Sequence, residues 1–393
     1  MKLPVSSLLG LACLVSDIQA ACTKEPMDFL DWKAFKGNGV NLGGWLVQEP
    51  FIDTDFWATS CGTDVLDEWT CCANLGDQCG QVLEHRYATW ITAADIDLLA
   101  SSGEVKVLRI PTAYSAWIEV PGSQLYHGNQ AAYLSDISTY AIEQYGMHII
   151  IDIHGLPGGI NNGTIGERVG GLDWFYSQTA LDRSLKAVDA VIDFITSSAH
   201  PESFTLEPIN EPMDAPDLVG QPASLSEEAA SWLLKYFDAV IKRVEAADGR
   251  IPVMLQGSFK TPDYWSANFT EGKNIVFDVH SYYFAGRPIG LNNVAEFILS
   301  DAEASRDSSG KFPSYTGEWS IQTLYNNSFA ERRRTFNFGL SAFENFTQGS
   351  SYWTAKCTGN DTVDGEGTRA DYWSYETFID LGFFGSNSGA ALP

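Results

Sequence analysis

Two glutamates carry the clearest chemical signal in this 393-residue sequence. Glu211 ends the stretch Phe204-Thr205-Leu206-Glu207-Pro208-Ile209-Asn210 and precedes Pro212, while Glu318 sits in Ser314-Tyr315-Thr316-Gly317-Glu318-Trp319. Facing each other across a pocket, such a pair could cleave a glycosidic bond. One carboxyl would be protonated to assist the leaving oxygen, and the other ionised to attack or to stabilise an oxocarbenium ion. Glu49, Arg109, His154, Asn210, His280, Tyr282 and Trp353 likewise fall at the ends of apolar, β-branched runs. A lone His or Arg at such a place is more often a satisfied member of a polar network. Burying so many polar groups together is costly unless they pair or serve a ligand, which weakens that reading for the set. Trp353 offers a flat platform for a sugar ring, and Asn210 could hold a 2-hydroxyl.

The elements that must position them alternate. Strands are expected at Val40–Leu46, Lys106–Pro111, His148–Gly155, Phe204–Glu211, Ile251–Gly257, Asn274–Tyr282, Ser314–Ser320 and Ser350–Lys356. Several are near-continuous apolar runs, as expected for strands covered on both faces. Helical patterns lie between them, for example over 131–145, 183–198 and 225–247, the last opening with a capping-box signature at Ser224-Leu225-Ser226-Glu227. Eight such alternations without a composition break point to α/β architecture, one (β/α)8 barrel, with a doubly wound open sheet as the alternative. In such barrels chemistry sits at the C-terminal ends of the strands, where these residues fall.

Composition narrows the partners. With 24 basic and 50 acidic residues the chain carries a formal charge of −26, which repels phosphate backbones and anionic lipid. A neutral carbohydrate or glycoside fits better, and 12 Trp suit it. Met1-Lys2, an apolar run through Val15, and Ala20-Ala21 match a secretory signal peptide over residues 1–20, leaving 21–393 as one catalytic domain. No stretch is long enough to span a bilayer. The six remaining cysteines, Cys22, Cys61, Cys71, Cys72, Cys79 and Cys357, suggest three disulfides among fifteen connectivities, with one long loop stapled over 61–79. Asn162, Asn268, Asn326, Asn345 and Asn360 begin glycosylation triplets consistent with secretion. Neither a metal nor a cofactor is expected, since no Cys/His ligand spacing or dinucleotide motif occurs. A secreted monomer with an acidic pH optimum is the expectation.

The chain resembles the fungal exo-β-1,3-glucanases and their relatives in glycoside hydrolase family 5, clan A. The carriers are Gly39-Val40-Asn41-Leu42-Gly43-Gly44-Trp45-Leu46-Val47, Val107-Leu108-Arg109-Ile110-Pro111 and Asp152-Ile153-His154-Gly155, followed by Ile209-Asn210-Glu211-Pro212, His280-Ser281-Tyr282, Gly317-Glu318 and Tyr352-Trp353. The resemblance spans roughly residues 37–382. It implies that Glu211 is the general acid/base and Glu318 the nucleophile of a retaining enzyme. Arg109, His154, Asn210, His280, Tyr282 and Trp353 would surround the −1 sugar, and Glu49 would bind glucose.

The loops depart from the glucanases. After His154 the chain reads Leu156-Pro157-Gly158-Gly159-Ile160-Asn161-Asn162-Gly163-Thr164, with Ile160 at a Gln place and no aromatic. A long cysteine-containing insertion between Glu318 and Trp353 is much shortened, and segment 61–79 is cysteine-dense. Active-face loops set substrate rather than chemistry. These departures look more like the diglycosidase branch of the family, the rutinosidases (6-O-α-rhamnosyl-β-glucosidases), with Phe284, Tyr283, Trp174 and Phe175 as expected liners of an aromatic aglycone site. The alternatives are an exo-β-1,3-glucanase and a catalytically silent sugar-binding barrel. No Gly-x-Ser-x-Gly, Walker-type loop or His-Glu-x-x-His motif supports another enzyme class.

Overall fold

The computed structural model describes residues 28–384. The signal-peptide reading and Cys22 therefore lie outside the described residues.

Eight parallel strands close into a barrel in sequence order, which excludes the open doubly wound sheet. They are β1 (Asn38–Asn41), β2 (Val105–Ala113), β3 (His148–Gly155), β4 (Phe204–Glu207), β5 (Val253–Gln256), β6 (Ile275–Tyr283), β7 (Ser314–Thr323) and β8 (Ser350–Tyr352). Gly39 and Val40 of β1 pair with Ser351 and Tyr352 of β8, which completes the ring. The helices Gln130–Tyr145, Gln178–Ser197 and Glu227–Asp248 confirm the three helical patterns read from periodicity. The helix over 227–248 is capped by Ser226, whose side chain accepts from the Ala229 amide. The capping residue is thus Ser226 and not Ser224, which lies in a preceding turn.

Strand alternation explains how the barrel builds its mouth. Val107, Ile150, Met254, Val276 and Tyr315 form a separate apolar cluster, plugged by Trp32 of the N-terminal segment. Side chains two residues apart on a strand share a face. The next inward layer is therefore Arg109, Asp152, Gln256 and Asp278, and above it come His154 and His280. The alternate positions face outward into the larger core between strands and helices, where Leu108, Ile149, Ile151, Leu255 and Phe277 are buried.

Four strands end earlier than expected: β1 at Asn41 rather than Leu46, β5 at Gln256 rather than Gly257, and β4 and β8. Pro208 has no amide to continue β4, so Asn210 and Glu211 sit in the turn beyond it and not on the strand. Tyr352 ends β8, so Trp353 follows the strand; the Trp353–Thr354 peptide is cis.

The cysteine-dense stretch is helical rather than one long loop, with helices at Glu68–Leu75 and Cys79–Thr89. Disulfides join Cys61 to Cys71 and Cys72 to Cys79. Cys357 is buried, and burial pushes its thiol up to about 12. The third expected bridge would involve Cys22 and so lies outside the described residues. Of the sequon asparagines, Asn268, Asn326, Asn345 and Asn360 are exposed and Asn162 is half-buried.

Candidate active site

Glu318 rises from β7 at the barrel centre, and both of its oxygens are held. Arg109 Nη1 donates to Oε1 at 2.7 Å, and the Tyr282 hydroxyl donates to Oε2 at 2.7 Å. Burial, followed by the Glu318 and Glu211 carboxylates, pushes Tyr282 well above its ordinary value, so it stays a donor. The two contacts fix the orientation of this carboxylate.

Glu211 comes from the β4 turn with φ of 44°, a left-handed conformation unusual for a residue with a side chain. The turn is held by Gln256 Oε1, which accepts the Glu211 amide at 3.0 Å. Glu211 Oε1 lies 2.8 Å from His280 Nδ1, and Glu318 Oε2 lies 3.6 Å from the same nitrogen. Oxygens of the two glutamates and a His280 nitrogen all lie within 4.8 Å of one another. Carboxylates this close suit a double displacement through a covalent glycosyl-enzyme.

Arg109 organises the floor. Its Nε and Nη2 donate to Glu207 at 2.7 and 3.2 Å, Nη1 also reaches Asn41 Oδ1 at 3.0 Å, and Nη2 reaches Asn210 Oδ1 at 2.8 Å. Asp152 Oδ2 lies 3.0 Å from Nη2. With its oxygen on Arg109, the Asn210 amide presents its NH2 group upward, 3.4 Å from His154 Nε2. His154 Nδ1 is 2.5 Å from Asp152 Oδ2, and its ring stacks on Trp353 at 5.9 Å between centroids. The oxygens of Glu207, Asp278, Glu211 and Glu318 are the donor type a cation would use, but here they face Arg109, Tyr282, His280 and the Gly317 amide.

Above this floor lies an open cavity of about 930 Å³, lined by Glu49, His154, Glu211, His280, Tyr282, Glu318 and Trp353 among others. Seven of the nine expected site residues thus line one cavity, with Arg109 and Asn210 directly beneath. Glu49 is buried, and its Oε1 has no protein partner. Burial, then the Glu318 and Glu211 charges, raises it well above the usual carboxylate range. It is an acceptor left free for a hydroxyl. The stapled helices support it: Glu68 Oε2 accepts the Gln48 amide at 2.7 Å, and Asp67 Oδ2 accepts the Val169 amide at 2.6 Å.

The cavity wall is built from Val219, Gly220, Phe259 and Phe284 together with Phe51, Trp353 and Trp373, and the Phe284 and Trp373 rings meet at 5.4 Å between centroids. Phe284 lines the cavity as expected, but Tyr283, Trp174 and Phe175 do not. Tyr283 neighbours Tyr282 on β6 and so points to the opposite face. Trp174 is fully buried and packs edge-on against Phe175 at 5.2 Å and Tyr236 at 5.4 Å. Asp152, Glu207 and Asp278, and the wall residues Phe51, Val219, Phe259 and Trp373, were not among the expected site residues.

Closed barrel, facing glutamates and flanking arginine, histidines and tyrosine define a glycoside hydrolase site. Residues 77–356 match the cellulase family, glycosyl hydrolase family 5, and the chain belongs to that family. A crystal structure of rutinosidase from Aspergillus niger is 54% identical, covering 91% of this chain and 100% of that one with a TM-score of 0.89. A crystal structure titled AoRut is 56% identical over 91% of this chain and 99% of its own, again with a TM-score of 0.89. A probable glucan 1,3-beta-glucosidase A of Aspergillus niger is 29% identical over 70% of this chain and 63% of its own length. The counterpart from Aspergillus fumigatus is 30% identical over 72% and 64%. The chain therefore spans a little under two thirds of those curated relatives.

Proposed function

We propose that the protein is a secreted, monomeric, retaining β-glycosidase that releases rutinose from flavonoid β-glycosides such as rutin. Glu211 protonates the glycosidic oxygen while Glu318 attacks the anomeric carbon. A water deprotonated by Glu211 then hydrolyses the glycosyl-Glu318 ester and returns the proton. The observation that carries this reading is the pair of glutamate carboxylates within 4.8 Å at the floor of an aromatic-lined cavity. Val219, Phe259 and Phe284 give the wall apolar surface for an aromatic aglycone, and Glu49 Oε1 and Trp373 Nε1, both unpartnered, offer polar atoms for a glycone larger than glucose. The 54% identical structure bears the name rutinosidase, which supports the same choice.

A second reading is an exo-β-1,3-glucanase, favoured by the names of the curated relatives. Product analysis of purified enzyme given rutin, isoquercitrin and laminarin separates the two. Rutinose from rutin is expected; glucose from laminarin with rutin untouched would return the protein to the glucanases. Glu318→Gln should abolish turnover, whereas a silent sugar-binding barrel would show none to abolish. Secretion is supported by the N-terminal pattern, two disulfides and exposed sequons. Among the described residues no helix is long and apolar enough to cross a membrane.

A further inference from the structure

The floor of the site holds a carboxylate that the two-glutamate reaction does not call on. Asp278 lies on β6 two residues before His280 and is buried. Its Oδ2 accepts from His280 Nε2 at 2.9 Å, and its Oδ1 accepts the Gly317 amide at 2.5 Å. Gly317 directly precedes Glu318, and a Cβ there would fall 2.2 Å from Asp278 Oδ1, so the carboxylate itself demands glycine. The other His280 nitrogen faces Glu211 at 2.8 Å and Glu318 at 3.6 Å. One imidazole thus ties Asp278 to both catalytic carboxylates.

We propose that Asp278 is a positioning residue that keeps a proton on His280 Nε2, so that the Glu211–His280 pair always holds the second proton, the one passed to the leaving oxygen. When the glycosidic C–O bond breaks, that proton moves from Glu211 to the departing oxygen and the sugar bonds to Glu318. The water that later cleaves this ester gives its proton back to Glu211. Atoms and charge balance without another reactant. The inference rests on the glycosidase reading but not on which sugar is released.

The charged surroundings of Asp278 agree. Arg109 Nε from β2 lies 3.9 Å from Oδ2. Glu207 from β4 is raised well above the carboxylate range by burial, with Asp278 and Asp152 of β3 adding to the rise and Arg109 opposing it. Burial would raise Asp278 too, but His280, Arg109 and a hydrogen bond from Glu207 outweigh it and hold Asp278 below its ordinary value. Tyr315 of β7 is raised by burial and by Asp278, and it remains a neutral phenol. Burial lowers His280, but the carboxylates of Glu318 and Asp278 outweigh it and lift the imidazole well above its ordinary value.

Asp278→Asn tests this, because it keeps an oxygen for the Gly317 amide, removes the charge and turns the acceptor facing His280 Nε2 into a donor, so the hold on that proton is lost. Aryl β-glycosides of the released sugar serve as probes, one with a methoxyphenyl and one with a dinitrophenyl leaving group. The alkaline limb of kcat/KM should move down by about one pH unit or more. The methoxyphenyl glycoside should slow about tenfold or more, the dinitrophenyl glycoside far less, and KM should stay within about twofold. An unmoved alkaline limb, or equal slowing of both glycosides, overturns the inference. If the variant does not fold, nitrogen NMR of His280 in the wild-type enzyme decides: a protonated Nε2 at neutral pH supports it and a ring protonated on Nδ1 alone overturns it. Wild-type enzyme inert toward both glycosides would count against the glycosidase reading, and the His280 nitrogens would still decide the inference.

Discussion

Arg109 Nη1 meets Glu318 Oε1 at 2.7 Å from beneath, with the arginine side chain fully buried. The remaining donors of the same guanidinium go to Glu207, Asn41 and Asn210, so Glu318 is anchored to three other strands or turns at once.

Replacing Arg109 by Met should therefore remove both a charge beside the nucleophile and the tie between layers. Steady-state kinetics should show kcat reduced by about a hundredfold or more, in line with the loss of one preorganised electrostatic partner. Denaturant unfolding should show a loss of about 3–5 kcal/mol, because Glu207 and Asp152 are left buried without their partner. A variant with kcat within a few-fold of wild type would mean that Tyr282 alone holds Glu318.

Trp373 can be tested apart from the chemistry. Trp373→Ala should raise KM for rutin about tenfold or more while changing KM for isoquercitrin much less, because its unpartnered Nε1 is free to meet a second sugar. Equal effects on both substrates would place Trp373 beside the first sugar or the aglycone.

Glu211 carries its side chain at φ of 44°, so its backbone favours glycine. Both Glu211→Gly and Glu211→Ala should be inactive, yet the glycine variant should be the more stable by about 1 kcal/mol. Equal melting temperatures would show that the turn relaxes once the carboxylate is gone.

Stability should also depend on pH in a defined direction. Burial raises Glu68 from 4.5 to about 7, with the Gln48 amide opposing, and raises Glu376 to about 7 with Lys356 opposing. A carboxyl raised in the folded state contributes stability at low pH that is lost as pH rises through the folded value. His148, lowered by burial from 6.5 to about 3, works the other way and contributes less as pH falls below 6.5. Two carboxyls against one imidazole, with a net charge of −26 that self-repels as pH rises, give the balance. The melting temperature should be higher near about pH 5.5 than near about pH 8, and Glu68→Gln should flatten the difference. The reverse slope would show that His148 dominates.

The sequence made the barrel legible because its strands are covered on both faces and read as apolar runs; His148–Gly155 matches its observed bounds. Glu211 and Glu318 were legible because motif and strand end coincide. The floor was less so, although the signal was there. Asp152 and Asp278 each stand two residues before a histidine already singled out, and alternation obliges them to share its face. Glu207 lies inside the run that ends at Glu211, where an acid in an apolar strand marks an inward, paired position. Trp373 left no such trace. It belongs to a segment well past β8, and only the folded path brings it over Tyr282 and Phe284, at 6.4 and 5.4 Å between ring centroids. The same limit applies to Val219, whose loop reaches the cavity from beyond β4.

The two disulfides close rings between cysteines only 10 and 7 residues apart, whereas the seam between β1 and β8 joins Asn38 to Ser350 across 312 residues. Short loops close fast and at little entropic cost, while the seam waits for nearly the whole chain. A chain emerging from its N-terminus can thus complete both covalent rings while most of the barrel is unmade. The stapled helices, tied to nearby residues by the Glu68–Gln48 and Arg86–Gly44 hydrogen bonds, then act as a prefabricated part, finished before β8 arrives to close the ring.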